Sequence, residues 1–125
     1  MMETKPRIMV IDDEKTIAQM MSSMLTSIGY SVSVYTSSED AFETFAADPA
    51  QFDLIITDQT MPGLTGSDVA RKVLEIRPEM PIVLCTGYSA MVKKETIEEI
   101  GVKEFIMKPF GAEKLFRVIR KALDN

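Results

Sequence analysis

The sequence predicts an α/β protein in which five parallel strands form one sheet that helices cover on both faces. Short apolar runs without polar alternation, which are typical of strands buried on both faces, alternate with stretches whose apolar residues recur at helical spacing. This strand–helix unit repeats along the chain at roughly 20–27 residues per unit, which is typical of a parallel sheet. The length of 125 residues suits one domain, so we expect residues 1–125 to form a single domain.

Each predicted strand is followed by a helix whose ends are marked in the sequence. The predicted strands cover residues 7–11, 31–35, 53–57, 81–85 and 104–107. The first helix carries apolar residues from Ile17 to Ile28, and Gly29 is expected to end it. The second strand alternates serine with apolar residues, which predicts an edge strand. The pattern from Thr36 to Glu39 is that of a capping box that begins the second helix. The later helices are indicated by apolar positions on one face: Val69, Val73 and Ile76; Ile97 and Ile100; and Leu115, Val118, Ile119 and Ala122.

Five such units fit the flavodoxin-like strand order 2-1-3-4-5, a three-layer α/β/α sandwich with right-handed crossovers. In this order the direction of winding changes between the first and third strands. Ligands of such sheets bind outside the carboxyl ends of the strands, next to that change. We call this side of the sheet the carboxyl edge.

Chemically capable side chains follow four of the five strands. They are Asp12 and Asp13 after the first strand, Asp58 after the third, Thr86 after the fourth and Lys108 after the fifth. Taken singly, each has an ordinary role as a helix cap, a turn residue or a solvated lysine. Together they place three carboxylates, a hydroxyl and an ammonium at one edge, and the joint arrangement is specific.

Three adjacent carboxylates repel one another, and a divalent cation would relieve the repulsion. Oxygen ligands without His or Cys favour Mg²⁺ or Mn²⁺ over Zn²⁺. A cation and an ammonium would neutralise the charge of a phosphoryl group, and a carboxylate could be its nucleophile. The carboxyl edge therefore predicts phosphoryl chemistry.

Composition excludes several other classes of function. The chain has no His, which excludes a Ser-His-Asp triad, a phosphohistidine relay within these residues and most zinc sites. The net charge of −5 argues against nucleic-acid binding. A lone cysteine, Cys85, is expected in the core and favours a reducing cytoplasmic location. No apolar run approaches the length of a membrane span, so we expect no membrane contact.

The chain resembles the receiver domains of bacterial two-component response regulators over nearly its whole length. Four motifs carry the resemblance: Val10-Ile11-Asp12-Asp13-Glu14, Ile56-Thr57-Asp58-Gln59-Thr60-Met61-Pro62-Gly63, Cys85-Thr86-Gly87-Tyr88 and Met107-Lys108-Pro109-Phe110. The resemblance implies signalling by phosphorelay. Asp58 would accept a phosphoryl group from the phosphohistidine of a partner histidine kinase or histidine phosphotransfer domain.

The resemblance also implies a Mg²⁺ site. Asp13, Asp58 and the backbone carbonyl of Thr60 would bind the ion directly, and Asp12 would act through a water. Lys108 would pair with the phosphoryl oxygens. The Lys108–Pro109 peptide bond is expected to be cis.

A switch is implied as well. Thr86 would donate its hydroxyl to the phosphoryl group, and Phe105 matches the family's aromatic switch position. The face formed by the fourth helix, fifth strand and fifth helix would change on phosphorylation and meet a downstream protein. Thr60 and Tyr88 flank the expected path of attacking water, and neither carries a group to hold it, which predicts a long-lived phosphorylated form.

Three other functions remain open at this stage. A flavodoxin-type cofactor binder would need a phosphate loop after the first strand, where Asp12-Asp13-Glu14 would repel a phosphate. A phosphohydrolase with an Asp nucleophile would need a second acid where Thr60 stands. A docking module that never carries phosphate would have no need of Asp58, Thr86 and Lys108 together.

The predicted domain is not a turnover enzyme, although it would promote its own phosphorylation and dephosphorylation. It is either a stand-alone regulator or the receiver of a longer protein. If that longer protein is a hybrid sensor histidine kinase, the parent chain would be a phosphotransferase.

Overall fold

The computed structural model describes residues 5–87 and 94–124. Strands and helices alternate through these residues. They are β1 (Arg7–Ile11), α1 (Lys15–Ser27), β2 (Ser31–Tyr35), α2 (Ser38–Ala47), β3 (Leu54–Asp58), α3 (Gly66–Ile76), β4 (Ile82–Thr86), α4 (Lys94–Ile100), β5 (Glu104–Met107) and α5 (Ala112–Asp124).

The five strands form one parallel sheet in the order β2-β1-β3-β4-β5, which confirms the predicted fold class and topology. β2 lies at one edge, as its alternation predicted, and its residues are exposed or half-buried. β3 and β4 lie inside the sheet, and all residues of both strands are buried. β1 and β3 are neighbours, so the residues that end them share one corner of the carboxyl edge.

Each face of the sheet carries its own apolar layer. One layer joins sheet residues such as Met9 and Leu84 to α2, α3 and α4, with Phe45 fully buried in it. The other joins Ile8 and its neighbours to α1 and α5, with Leu25, Leu115 and Ile119 fully buried. Burial on both faces is the reason that the strands read as continuous apolar runs.

Two of the predicted strands lie one residue too early at both ends: β3 covers Leu54–Asp58 and β4 covers Ile82–Thr86. β3 begins at Leu54. The Asp53 N–H still donates to the Arg7 carbonyl at 2.7 Å, but the Arg7 N–H donates to the Asp53 carboxylate, also at 2.7 Å, instead of extending the backbone ladder. β3 and β4 continue to Asp58 and Thr86, which pair with residues of the next strand. Asp58 and Thr86 are therefore held by the sheet ladder rather than by a loop.

The predicted capping box of α2 is also displaced. Ser37, not Thr36, caps the helix, and its hydroxyl accepts a hydrogen bond from the Asp40 N–H at 3.2 Å. A reciprocal capping box begins α3 instead, between Thr65 and Asp68. Gly29 ends α1 as predicted, with a φ of 103° that disfavours any residue with a Cβ.

Candidate functional site

Three carboxylates meet where β1 and β3 end. Asp12 and Asp13 follow β1, and Asp58 is the last residue of β3. One ligand oxygen from each lies within 4.8 Å of the other two. Asp12 and Asp58 are buried and Asp13 is exposed, so the cluster opens to solvent on the side of Asp13. The predicted grouping of these three side chains is confirmed.

Lys108, the residue that follows β5, completes the cluster. Its Nζ lies 2.6 Å from Asp58 Oδ1 and 3.9 Å from Asp12 Oδ2. The Lys108 backbone N–H donates to the Thr86 carbonyl at 2.7 Å, which ties the residue to the end of β4. The Lys108–Pro109 peptide bond is cis, as the resemblance implied.

The charges of this cluster act on one another. Burial raises the pKa of the Asp12 carboxyl; the Glu14 backbone N–H opposes this shift, and the charge of Asp58 adds to it. Burial alone would lower the pKa of the Lys108 ammonium, but its hydrogen bond to Asp58 and the charges of Asp58 and Asp12 raise that pKa instead. Lys108 is therefore a persistent cation facing Asp58.

The donor set fits a hard divalent cation. It consists of carboxylate oxygens, without nitrogen or sulfur, and the Lys108 ammonium contacts two of the three carboxylates, Asp12 and Asp58. Asp58 and Lys108 are already paired, while the exposed Asp13 leaves one side of the cluster accessible. Asp12, Asp13 and Asp58 are the residues that could hold such an ion.

Thr86 lies at the end of β4 and is 4 % exposed. Its hydroxyl donates to the thioether sulfur of Met107, with 3.0 Å between Oγ1 and Sδ. Phe105 is half-buried in β5 and packs against the apolar layer of α2, α3 and α4. Thr60 is exposed in the loop two residues beyond Asp58, and its carbonyl as a metal ligand stays a prediction. Tyr88 lies outside the described residues, and with it the prediction on water access.

Sequence reasoning missed the residue that fixes the loop after Asp58. The Gln59 side chain is buried, and its Oε1 accepts hydrogen bonds from the Ser67 N–H at 2.9 Å and the Ser67 hydroxyl at 2.8 Å. A Cβ on Gly66 would collide with the Asp58 carbonyl and with Leu84. The loop thus packs directly against the end of β3. The spacing of Gln and Gly in the sequence gives no signal that reveals this contact.

Cys85 belongs to the core, as predicted. It is 2 % exposed, and burial raises the pKa of its thiol to about 12. The thiol is therefore protonated and unreactive at neutral pH.

Comparison with known proteins agrees with this geometry. Residues 8–120 match the response regulator receiver domain family. The chain is 32 % identical to the C4-dicarboxylate transport transcriptional regulatory protein DctD of Rhizobium meliloti over 97 % of its own length and 26 % of that protein. It is 31 % identical to the transcriptional regulatory protein YkoG of Bacillus subtilis over 95 % of its length and 51 % of that protein.

Solved structures of similar fold include a receiver domain protein from Clostridium thermocellum, with a TM-score of 0.90, 32 % identity, and coverage of 95 % of this chain and 94 % of that one. Another is the response regulator TrrA of Thermotoga maritima in complex with Mg²⁺–BeF, with a TM-score of 0.84, 29 % identity, and coverage of 94 % and 99 %.

The chain belongs to the response regulator receiver domain family, and its function is that of a signalling domain in two-component phosphorelay. It spans about a quarter to a half of the length of these curated relatives. Among the described residues, no helix combines the length and apolar character needed to span a membrane.

Proposed function

We propose that residues 1–125 act as one receiver unit in which Asp58 accepts a phosphoryl group. The contact between Lys108 Nζ and Asp58 Oδ1 carries this proposal, because it aims an ammonium at the carboxylate that would become an acyl phosphate. Asp58 is buried at the end of a strand whose ladder extends to it, so the sheet holds its backbone in place for a donor.

The transfer forms a bond from an Asp58 carboxylate oxygen to phosphorus and breaks the bond from phosphorus to the donor nitrogen. Lys108 would then pair with the phosphoryl oxygens, which replace the carboxylate as its partner. Mg²⁺, or Mn²⁺, held by Asp13, Asp58 and the Thr60 carbonyl, with Asp12 acting through a water, would neutralise charge on the phosphoryl oxygens. The Mg²⁺–BeF complex of TrrA supports this choice of ion.

The phosphoryl donor lies outside these 125 residues, since they contain no His. We propose a histidine kinase or a histidine phosphotransfer domain as the partner, acting in the cytoplasm. The domain is not a turnover enzyme, because the phosphoryl group that Asp58 accepts stays covalently attached to the domain itself. The greater length of the curated relatives favours a receiver within a longer protein, and a stand-alone regulator is the alternative.

Mass spectrometry of the intact protein tests the acceptor. With acetyl phosphate and Mg²⁺ we expect the wild type to gain the mass of one phosphoryl group and Asp58→Asn to gain none. Asp53→Asn is the matched control, because Asp53 precedes the opposite end of the same strand and should leave phosphorylation intact. Phosphorylation of Asp58→Asn at the wild-type level would overturn the assignment.

The second part of the proposal is that phosphorylation alters the face formed by α4, β5 and α5. Thr86 would follow the phosphoryl group, and Phe105 would turn into the space that it leaves. Amide exchange with and without beryllofluoride should change most in β5 and α5, and less in Thr86→Ala. Changes confined to α1 would show that the output face is misassigned.

A further inference from the structure

The Thr86 hydroxyl already has a hydrogen-bond partner in this structure. Oγ1 donates to Met107 Sδ at 3.0 Å, and the two residues are direct partners across β4 and β5. Thr86 is 4 % exposed, whereas Met107 is 37 % exposed, so the methionine reaches inward from the surface to the buried hydroxyl.

A thioether is a weak hydrogen-bond acceptor. It nevertheless gives the buried hydroxyl a partner, and a buried hydroxyl without one is costly. The contact is therefore strong enough to hold Thr86 but weak compared with a bond to a charged oxygen, such as that of a phosphoryl group.

A hydroxyl has one proton, so Thr86 cannot donate fully to Met107 and to a phosphoryl oxygen at the same time. Any movement of Thr86 toward Asp58 breaks its bond to the sulfur. The energy of that bond is then part of the cost of switching, and it is set by the side chain at position 107.

We propose that Met107 is a positioning residue for the switch, whose sulfur competes with the phosphoryl group for the Thr86 proton. This inference rests on the proposed function, since it assumes that a phosphoryl group on Asp58 recruits Thr86. Met107 stands two residues after Phe105, on the same face of β5. Its release from Thr86 therefore takes place beside the aromatic ring that is expected to turn.

The choice of methionine has a physical consequence. An unbranched thioether is adaptable, and the exposed part of Met107 leaves it room to move when Thr86 departs. A stronger acceptor at this position would hold Thr86 in its unphosphorylated place, and a side chain without an acceptor would release it.

A series of acceptor strength tests the proposal. Met107→Leu removes the acceptor at similar size, and Met107→Gln supplies an amide oxygen on a side chain of similar length. The measurement is the dissociation constant for beryllofluoride at saturating Mg²⁺, by isothermal titration calorimetry. We expect Met107→Gln to weaken binding about three- to tenfold and Met107→Leu to tighten it about two- to threefold, in line with the net effect of one hydrogen bond.

The same two changes in a Thr86→Val background distinguish this role from packing. Without the hydroxyl, the three side chains at position 107 should give the same dissociation constant within error. Equal constants in the Thr86 background, or an unchanged spread in the Thr86→Val background, would overturn the role of Met107. Failure of the wild type to bind beryllofluoride would overturn the proposed function itself, and this inference with it.

Discussion

The two edges of the sheet hold charged groups in opposite ways. At the amino edge, the side of the sheet where the strands begin, Arg7 pairs with Asp53 and donates to the Ala50 carbonyl. Arg77 donates to the carbonyls of Pro49 and Phe52 and pairs with Glu79. The guanidiniums of Arg7 and Arg77 each have one carboxylate and at least one backbone carbonyl as partners.

At the carboxyl edge, three carboxylates cluster together, and the Lys108 ammonium contacts two of them, Asp12 and Asp58. Matched charges at the amino edge tie the chain down between secondary-structure elements. Unmatched charges at the carboxyl edge leave an electrostatic cost in the free protein, which a bound cation or a new partner for Lys108 removes. We therefore expect the amino edge to serve stability and the carboxyl edge to serve the proposed phosphoryl transfer.

The largest expected effect is the response of stability to Mg²⁺. Binding to the native state alone stabilises it by RT ln(1 + [L]/Kd), which is about 2.7 kcal/mol at a hundredfold excess over Kd. Thermal melting at neutral pH should therefore shift upward with Mg²⁺ in the wild type. Asp13→Ala should lose most of this Mg²⁺-induced shift. Asp53→Ala should lower the melting temperature but retain the Mg²⁺-induced shift. A wild-type melting curve that does not respond to millimolar Mg²⁺ would refute the metal site.

The second effect concerns the amino edge. Arg77→Ala removes the donor to two backbone carbonyls, so we expect a loss of about 1–3 kcal/mol in the free energy of unfolding. Urea unfolding measures the loss, which should be equal with and without Mg²⁺ because the two edges do not share partners. Arg77→Lys has one ammonium in place of the several N–H donors of the guanidinium, so it should recover only part of the lost stability. A loss that depends on Mg²⁺ would show that the edges are coupled.

The smallest effect comes from Asp68, a carboxylate in the first turn of α3 that has hydrogen-bond donors from Thr65. Hydrogen bonds from the Thr65 backbone N–H and hydroxyl lower the pKa of Asp68 below its usual range. Its charged form therefore stabilises the fold above the unfolded pKa of about 3.9, and the contribution is lost as pH falls through the lower folded pKa. Asp68→Asn should be slightly less stable than the wild type near neutral pH.

Urea unfolding at several pH values checks this sign. The difference between the wild type and Asp68→Asn should shrink as pH falls below about 4. Asp40→Asn is the matched control, because Asp40 holds the same position in α2 and its N–H bonds to Ser37 without a reciprocal capping box among the described residues. A difference for Asp68→Asn that grows on acidification would contradict the assigned pKa shift.

The sequence was sufficient for the topology and for the meeting of Asp12, Asp58 and Lys108. Parallel strands place their carboxyl ends together, so residues that end different strands become neighbours without any knowledge of side-chain packing. The apolar pattern was less reliable at helix ends. Ile28 and Ile76 fit the buried faces by spacing but are 46 % and 43 % exposed, because they lie at the ends of helices, where the sheet no longer covers them.

What the sequence could not provide depends on side-chain contacts between distant segments. The start of β3 depends on the bond from Arg7 to Asp53, which joins residues 46 positions apart. The contact of Thr86 with Met107 requires the register of β4 and β5 and the direction of a flexible side chain. The spacing of residues along the sequence predicts neither the Arg7–Asp53 bond nor the Thr86–Met107 contact.

The most direct test of the contrast between the edges is to locate the phosphoryl group. After treatment with acetyl phosphate and Mg²⁺, borohydride reduces an aspartyl phosphate to homoserine, and peptide mass spectrometry identifies the residue. We predict reduction at Asp58 alone, dependent on Mg²⁺ and absent when the metal is chelated. Reduction at Asp53 or another carboxylate of the amino edge, or none at Asp58, would contradict the assignment of function to the carboxyl edge.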